Sequence, residues 1–221
     1  MLLDDMIALL RETARNAKVV DDEKIDDRIW QDYIMIKRNN FIKNHFNDKH
    51  NIELNTIQTE VLTMSKFDSS MLHAGISIDE SVKRSGLIPK VIEFRAGLAI
   101  YEISSPDYMS KTIQYVPFDR LRWVGNGKIN KHFVYGSIYD GRLYIKSGSK
   151  AAEAVRTVLL KGVFADPTLV STYVRESHDY PLNDYMFEYI KNSILESDFR
   201  VLISTLSDNK NDASGEIQTQ G

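Results

Sequence analysis

The apolar spacing of this chain changes period twice, and that change limits the folds open to it. Up to about residue 46 hydrophobic residues recur at the three- and four-residue steps of a helix; from Ile52 to Phe164 they alternate in short runs, as strands do; from Leu182 the helical step returns. Leu3, Met6, Ile7, Leu10, Ala14 and Ala17 trace one stripe over residues 2–19, with Arg11, Glu12, Arg15 and Lys18 off it. Asp21-Asp22-Glu23 then offers an N-cap and an acidic first turn for a second helix running to about Phe46. Ile25, Ile29, Tyr33 and Ile36 form its expected stripe, with Trp30 and Phe41 on a flanking face, where core is the simpler assignment and a neighbour the other one. So short a connection makes the two helices antiparallel neighbours.

The middle of the chain predicts strands at Val61–Met64, Lys90–Phe94, Leu98–Ile103, Arg120–Val124 and Val155–Phe164, the last closed by Ala165-Asp166-Pro167. The clearest hairpin is Phe133–Tyr139, Asp140-Gly141, Arg142–Ile145, because Asp-Gly tolerates the positive φ angles of a tight I′ turn. Residues 68–88 are mixed, with a short helix expected from Ile78 to Arg84.

Tyr180-Pro181-Leu182 opens a long last helix, with Pro suited to its first position because the missing N–H would be an orphan there. Its first half carries Leu182, Tyr185, Met186, Tyr189 and Ile190; its second carries Leu195, Phe199, Leu202, Ile203 and Leu206. At the helical step the second stripe lies roughly 120–160° around from the first. Either the helix leaves its own domain to dock on another body, or it breaks near Ser197-Asp198 and both halves serve one core. The tail from Ser207 to Gly221 is polar and almost free of core formers, a composition that gains order on a partner. The candidate partner interface is therefore Leu195, Phe199, Leu202 and Leu206 on the helix with Asp208, Asn209, Asn211 and Asp212 on the tail. The expected fold is α+β: an N-terminal helical pair and a C-terminal helix forming one bundle, with an antiparallel β domain inserted between them. The boundaries are 1–50 for the N-terminal helices, 51–178 for the β-rich insert, 179–206 for the last helix and 207–221 for the extended tail.

Chemistry is sparse along the chain. It has no cysteine, which removes disulfides and thiolate metal sites. The five histidines, His45, His50, His73, His132 and His178, show no metal-ligand spacing. Asp21, Asp22, Glu23, Asp26 and Asp27 lack the pattern of a calcium loop and fit a capping role at a helix start. Ser147-Gly148-Ser149-Lys150 is a turn rather than a phosphate loop, since GxxxxGK[ST] is absent. No nucleophile elbow or glycine-rich dinucleotide loop occurs, and no cofactor is expected. Net charge is −3, so nucleic acid and anionic membrane exert no global pull. No apolar run approaches a membrane span. The start, Met1-Leu2-Leu3-Asp4-Asp5, lacks the basic region of a signal peptide, which favours a protein made in a cytoplasm. Basic and aromatic residues interleave at Arg120-Leu121-Arg122-Trp123 and Lys128–Phe133. These fit a half-buried strand with a basic solvated face, or else a stacking platform for single strands.

Gln114-Tyr115-Val116-Pro117-Phe118-Asp119-Arg120-Leu121, Tyr139-Asp140-Gly141-Arg142-Leu143-Tyr144, Phe164-Ala165-Asp166-Pro167, Tyr180-Pro181-Leu182 and Asp208-Asn209-Lys210-Asn211-Asp212 occur in an order that resembles the head-to-tail adaptor, or connector ring, proteins of short-tailed bacteriophages. In wording they are similar to the ring proteins of crAss-like Bacteroides phages. The resemblance covers roughly residues 2–212. It implies a virion structural protein without catalytic residues, assembled in the host cytoplasm into a ring of about twelve copies. It further implies the portal protein and other neck and tail rings as partners, with double-stranded DNA passing through the channel without sequence recognition during genome ejection. A near-neutral chain suits such a channel, which must release the DNA it passes. A lower tail ring or tail-hub component is the nearby alternative. A small phage enzyme or a single-strand-binding module built on the β segment is the distant one.

Overall fold

A computed structural model describes residues 1–16, 26–49, 53–67, 82–106, 112–125, 127, 129–149 and 151–198. The chain divides into two compact units, one combining Met1–Asn51 with Arg175–Gly221 and the other formed by Ile52–Val174. Helices flank a central, mainly antiparallel sheet along the sequence, so the fold is α+β as expected.

In the first unit, α1 (Leu3–Asn16) buries Leu3, Met6, Ile7, Leu10 and Ala14, the expected stripe; Ala17 lies outside the described residues. Each large side chain sealed this way contributes about 1.5–3 kcal/mol. α2 (Asp27–Lys49) differs from expectation. Asp26 accepts the Arg28 N–H at its start, while Asp21, Asp22, Glu23 and Ile25 lie outside the described residues. Its buried line is Trp30, Ile34, Arg38 and Ile42, whereas Ile29 and Ile36 are 40 % and 50 % exposed. Trp30 carries more apolar area than the isoleucines and so sets the buried face. Arg38, a cation in the middle of that line, hides it from a hydrophobic reading. Arg38 is fully buried: its Nε donates to the Pro181 carbonyl at 3.0 Å, its Nη1 to Asn39 Oδ1 at 3.1 Å, and its guanidinium stands 5.8 Å from the Tyr180 ring centre.

The last helix shows a second difference. Pro181 does not open it, and its carbonyl accepts from Arg38 instead. The helix α5 (Asp184–Ser193) starts later, after Asn183. It buries Met186, Phe187, Ile190 and Ile194; Tyr185 and Tyr189 stay half in solvent, where Tyr189 packs on Phe41 with ring centres 5.1 Å apart. Beyond Ser193 the helix widens into a π turn, Ile194–Asp198. Departure from α geometry therefore begins just before the expected break at Ser197-Asp198. Arg175, preceding this segment, clamps the unit by donating to Asp4 at 2.6 Å and Gln31 at 3.1 Å.

The second unit is built on β1 (Gln58–Lys66), β2 (Lys83–Leu87), β3 (Glu93–Phe94), β4 (Gly97–Leu98), β5 (Ile100–Ser104), β6 (Gln114–Tyr115), β7 (Val134–Tyr139), β8 (Arg142–Ser147) and β9 (Thr157–Gly162). Seven of these form one sheet in the order β5-β9-β1-β2-β8-β7-β6, with β3 and β4 a separate hairpin. All neighbours in the large sheet are antiparallel except β6 and β7, so the sheet is mixed rather than purely antiparallel. The two ends of the sheet meet: Ile113, just before β6, donates its N–H to the Ile103 carbonyl of β5 at 2.8 Å. The sheet therefore curls so that its two end strands approach each other at this bond. Ile103, Leu160, Leu62, Met64, Ile145 and Val134 share the inner face by register and are buried.

The Asp140-Gly141 hairpin forms as expected, with φ of 47° and 63° at its two turn residues. Four other segments do not follow the sequence pattern, and the first, Leu98–Ile103, is split at Ala99 between β4 of the β3–β4 hairpin and β5 of the large sheet. Lys83 and Arg84, expected to end a helix, start β2, and residues 78–81 lie outside the described residues. The Lys83 side chain points inward and donates from Nζ to the Glu153 and Val155 carbonyls, both at 2.6 Å, so a buried lysine stands where strand alternation wants an apolar residue. The expected strand Lys90–Phe94 shrinks to a bridge at Val91 and the two residues of β3. The expected strand Arg120–Val124 is instead a helical turn, α3 (Phe118–Leu121), running into a tight turn as far as Gly125.

Candidate interaction surface

α3 and the residues after it lie over the outer face of β7 and β8. Pro117 fixes the entry, and its carbonyl accepts the Arg120 N–H at 2.9 Å. Leu121 turns in and is buried with Tyr135 and Tyr144; Phe67, Val82, Val116, Phe118, Val124 and Phe133 complete this cluster. Phe118 also stacks on Tyr139, with ring centres 4.2 Å apart and planes 11° from parallel.

Two further ties fix the turn. Lys146, itself buried, donates from Nζ to the Arg122 carbonyl at 3.1 Å. Gly125, at φ +84°, sits so close to Gly148 that a Cβ on Gly148 would fall 1.6 Å from the Gly125 oxygen. Glycine is thus required at Gly125 by conformation and at Gly148 by space. Ser147 at the end of β8 donates to the Ser149 carbonyl and accepts the Ala152 N–H at 3.0 Å. That arrangement makes Ser147-Gly148-Ser149 the expected turn, leading into α4 (Ala151–Ala154).

The exposed side chains of this turn and of the separate turn at Asn130–His132 that follows it in the chain are basic and apolar. Trp123 is 68 % exposed and Ile129 84 %. Arg120, Arg122, Lys131 and His132 are exposed, and the Arg122 guanidinium lies 4.9 Å from the Trp123 ring centre. Against them stands the exposed Asp119. Tyr115, on β6, has its phenol pushed up from its ordinary value by partial burial. The interleaved basic and aromatic residues are therefore neither a strand nor a regular stacking array. They form a turn in which Leu121 is the anchor and its neighbours the display. The alternation of Leu121 with exposed neighbours imitated a strand; Pro117 and the Gly125–Gly148 pairing were the signals for a turn.

Of the interface residues expected from sequence, Leu195 is half-buried in the π turn, beside the fully buried Ile194. Phe199, Leu202, Leu206, Asp208, Asn209, Asn211 and Asp212 lie outside the described residues. His45 stacks on Phe41, with ring centres 5.8 Å apart. His178 is exposed, and His50 and His73 lie outside the described residues. Among the described residues no group of three histidine, aspartate or glutamate side chains is placed to hold a metal ion, and no helix is long and apolar enough to cross a membrane.

A family model described as phage tail ring protein 2 matches residues 5–218. No curated protein matches the chain.

Proposed function

Because the chain belongs to the phage tail ring protein 2 family, and is therefore a structural, connector-ring protein of the virion, we propose that it forms a ring at the neck that joins the portal to the tail and surrounds the channel for DNA. The single observation behind this reading is the reach of the family match, which takes in both helical ends and the sheet between them. The resemblance to connector rings implies about twelve copies of the chain, and unlike surfaces on one subunit close into such a ring when the rotation between neighbours divides a full turn. It is assembled in the host cytoplasm, passes double-stranded DNA without reading its sequence, and catalyses no reaction.

The portal and adjacent rings are met by the end of the last helix and the tail, through Leu195, Phe199, Leu202, Leu206, Asp208, Asn209, Asn211 and Asp212. A polar segment that orders on a partner covers much surface for a modest affinity, and repetition around a ring multiplies that affinity. The test removes residues 207–221 from the full chain. Far-ultraviolet circular dichroism and melting temperature should stay as in the intact chain, while co-sedimentation with purified portal is lost. Parallel loss of folding and portal binding would give the tail to the core of the subunit and end this reading of it.

A further inference from the structure

A subunit in a closed ring needs two unlike surfaces, because a head-to-tail contact joins one patch to a different one on the next copy. We propose that the anchored turn bearing Arg120, Arg122 and Trp123, together with the following turn bearing Ile129 and Lys131, is one of these patches, and that its occupant is a second copy of this chain. The inference rests on the ring reading above and adds to it the place where neighbours meet.

The first argument is mechanical. Trp123 and Ile129 are the most exposed large apolar side chains of this surface, at 68 % and 84 %. Beneath Trp123 the backbone is fixed by the buried Leu121, by the Lys146 bond to the Arg122 carbonyl and by the Gly125–Gly148 contact. Apolar side chains on an already ordered backbone lose little conformational freedom when covered, which favours binding. Tryptophan and arginine are also the residue types that most often carry interface energy.

The second argument is charge. Arg120, Arg122 and Lys131 face out with Asp119 as the exposed acid beside them, in a chain whose net charge is −3. The remainder of every copy is thus more acidic than the whole. On balance the rest of a second copy is acidic and attracts this patch, whereas the same patch on a second copy repels it. That sign rule disfavours a two-fold dimer through this turn and favours the head-to-tail arrangement. A nucleic acid strand would use the cations, but Ile129 gives a base nothing to stack on, and one face of the Trp123 ring is already occupied by Arg122.

The experiment replaces Trp123 by the photo-reactive p-benzoylphenylalanine in the full chain and irradiates assembled particles. A product of twice the chain mass, with position 123 joined to a peptide of the same sequence other than residues 118–132, is the expected result. Joining to a different protein or to DNA, or no product at all, overturns the inference while leaving the ring intact. A copy number of one per particle overturns the ring reading itself. In the purified chain, Trp123→Ala combined with Ile129→Ser should raise the concentration for half-maximal self-association by about tenfold or more, at an unchanged melting temperature. Assembly equal to that of the unaltered chain also overturns the inference.

Discussion

Arg38 concentrates more of the first unit's organisation than any apolar residue in it. Its guanidinium holds the Pro181 carbonyl and lies near the Tyr180 ring, so one side chain ties α2 to the segment that leads into the last helix. Arg38→Leu should cost about 3 kcal/mol in urea unfolding, because the Pro181 carbonyl stays buried without its donor. Within the same helix Ile34→Ala should cost about 3 kcal/mol, while Ile36→Ser should stay within about 0.5 kcal/mol. An equal cost for the two isoleucines would restore the stripe read from sequence alone. In the second unit Gly148→Ala should destabilise by about 3 kcal/mol, since the new methyl meets the Gly125 carbonyl, a backbone group with no rotamer to yield.

At the level of elements, legibility followed the regularity of the local code. α1 was readable because its buried residues all fall on the helical step and the charges fall off it. The β7–β8 hairpin was readable because its turn requires two positive φ angles and Asp-Gly supplies them. α2 misled because its buried line passes through an arginine, and β2 misled because it begins with a lysine turned inward. In both cases the polar head is satisfied by backbone carbonyls from distant parts of the chain, which no local window contains. The turn after α3 misled for a different reason: its fixing contacts come from Lys146 and Gly148, more than twenty positions away. The expected interface on the last helix could be placed only at Leu195, and the exposed Trp123–Ile129 surface carried no signal beyond its basic and aromatic composition. As an element-level test, Leu121→Ala should lower stability by about 2–3 kcal/mol and raise the accessibility of Trp123 to iodide quenching, because the anchor and the display share one turn.

For the whole molecule, the division into two units has a thermodynamic signature. Calorimetry should resolve two transitions, with Arg38→Leu lowering one and Gly148→Ala the other. A single transition shifted alike by both substitutions would show that the units unfold as one. The same division gives a virion protein separate places for separate tasks: a curled sheet that carries a displayed surface, and a helical unit that holds the segment leading to the tail.

Because α1 and α5 belong to one unit while the sheet lies between them in sequence, synthesis order and folding order are out of step. On the ribosome the leading helices must wait, unsheltered, until α5 has emerged, whereas the intervening sheet can mature as soon as its own residues emerge. Premature docking of half-made copies is thereby discouraged by the order of translation itself: no nascent chain owns a finished helical body until the sheet has already been made.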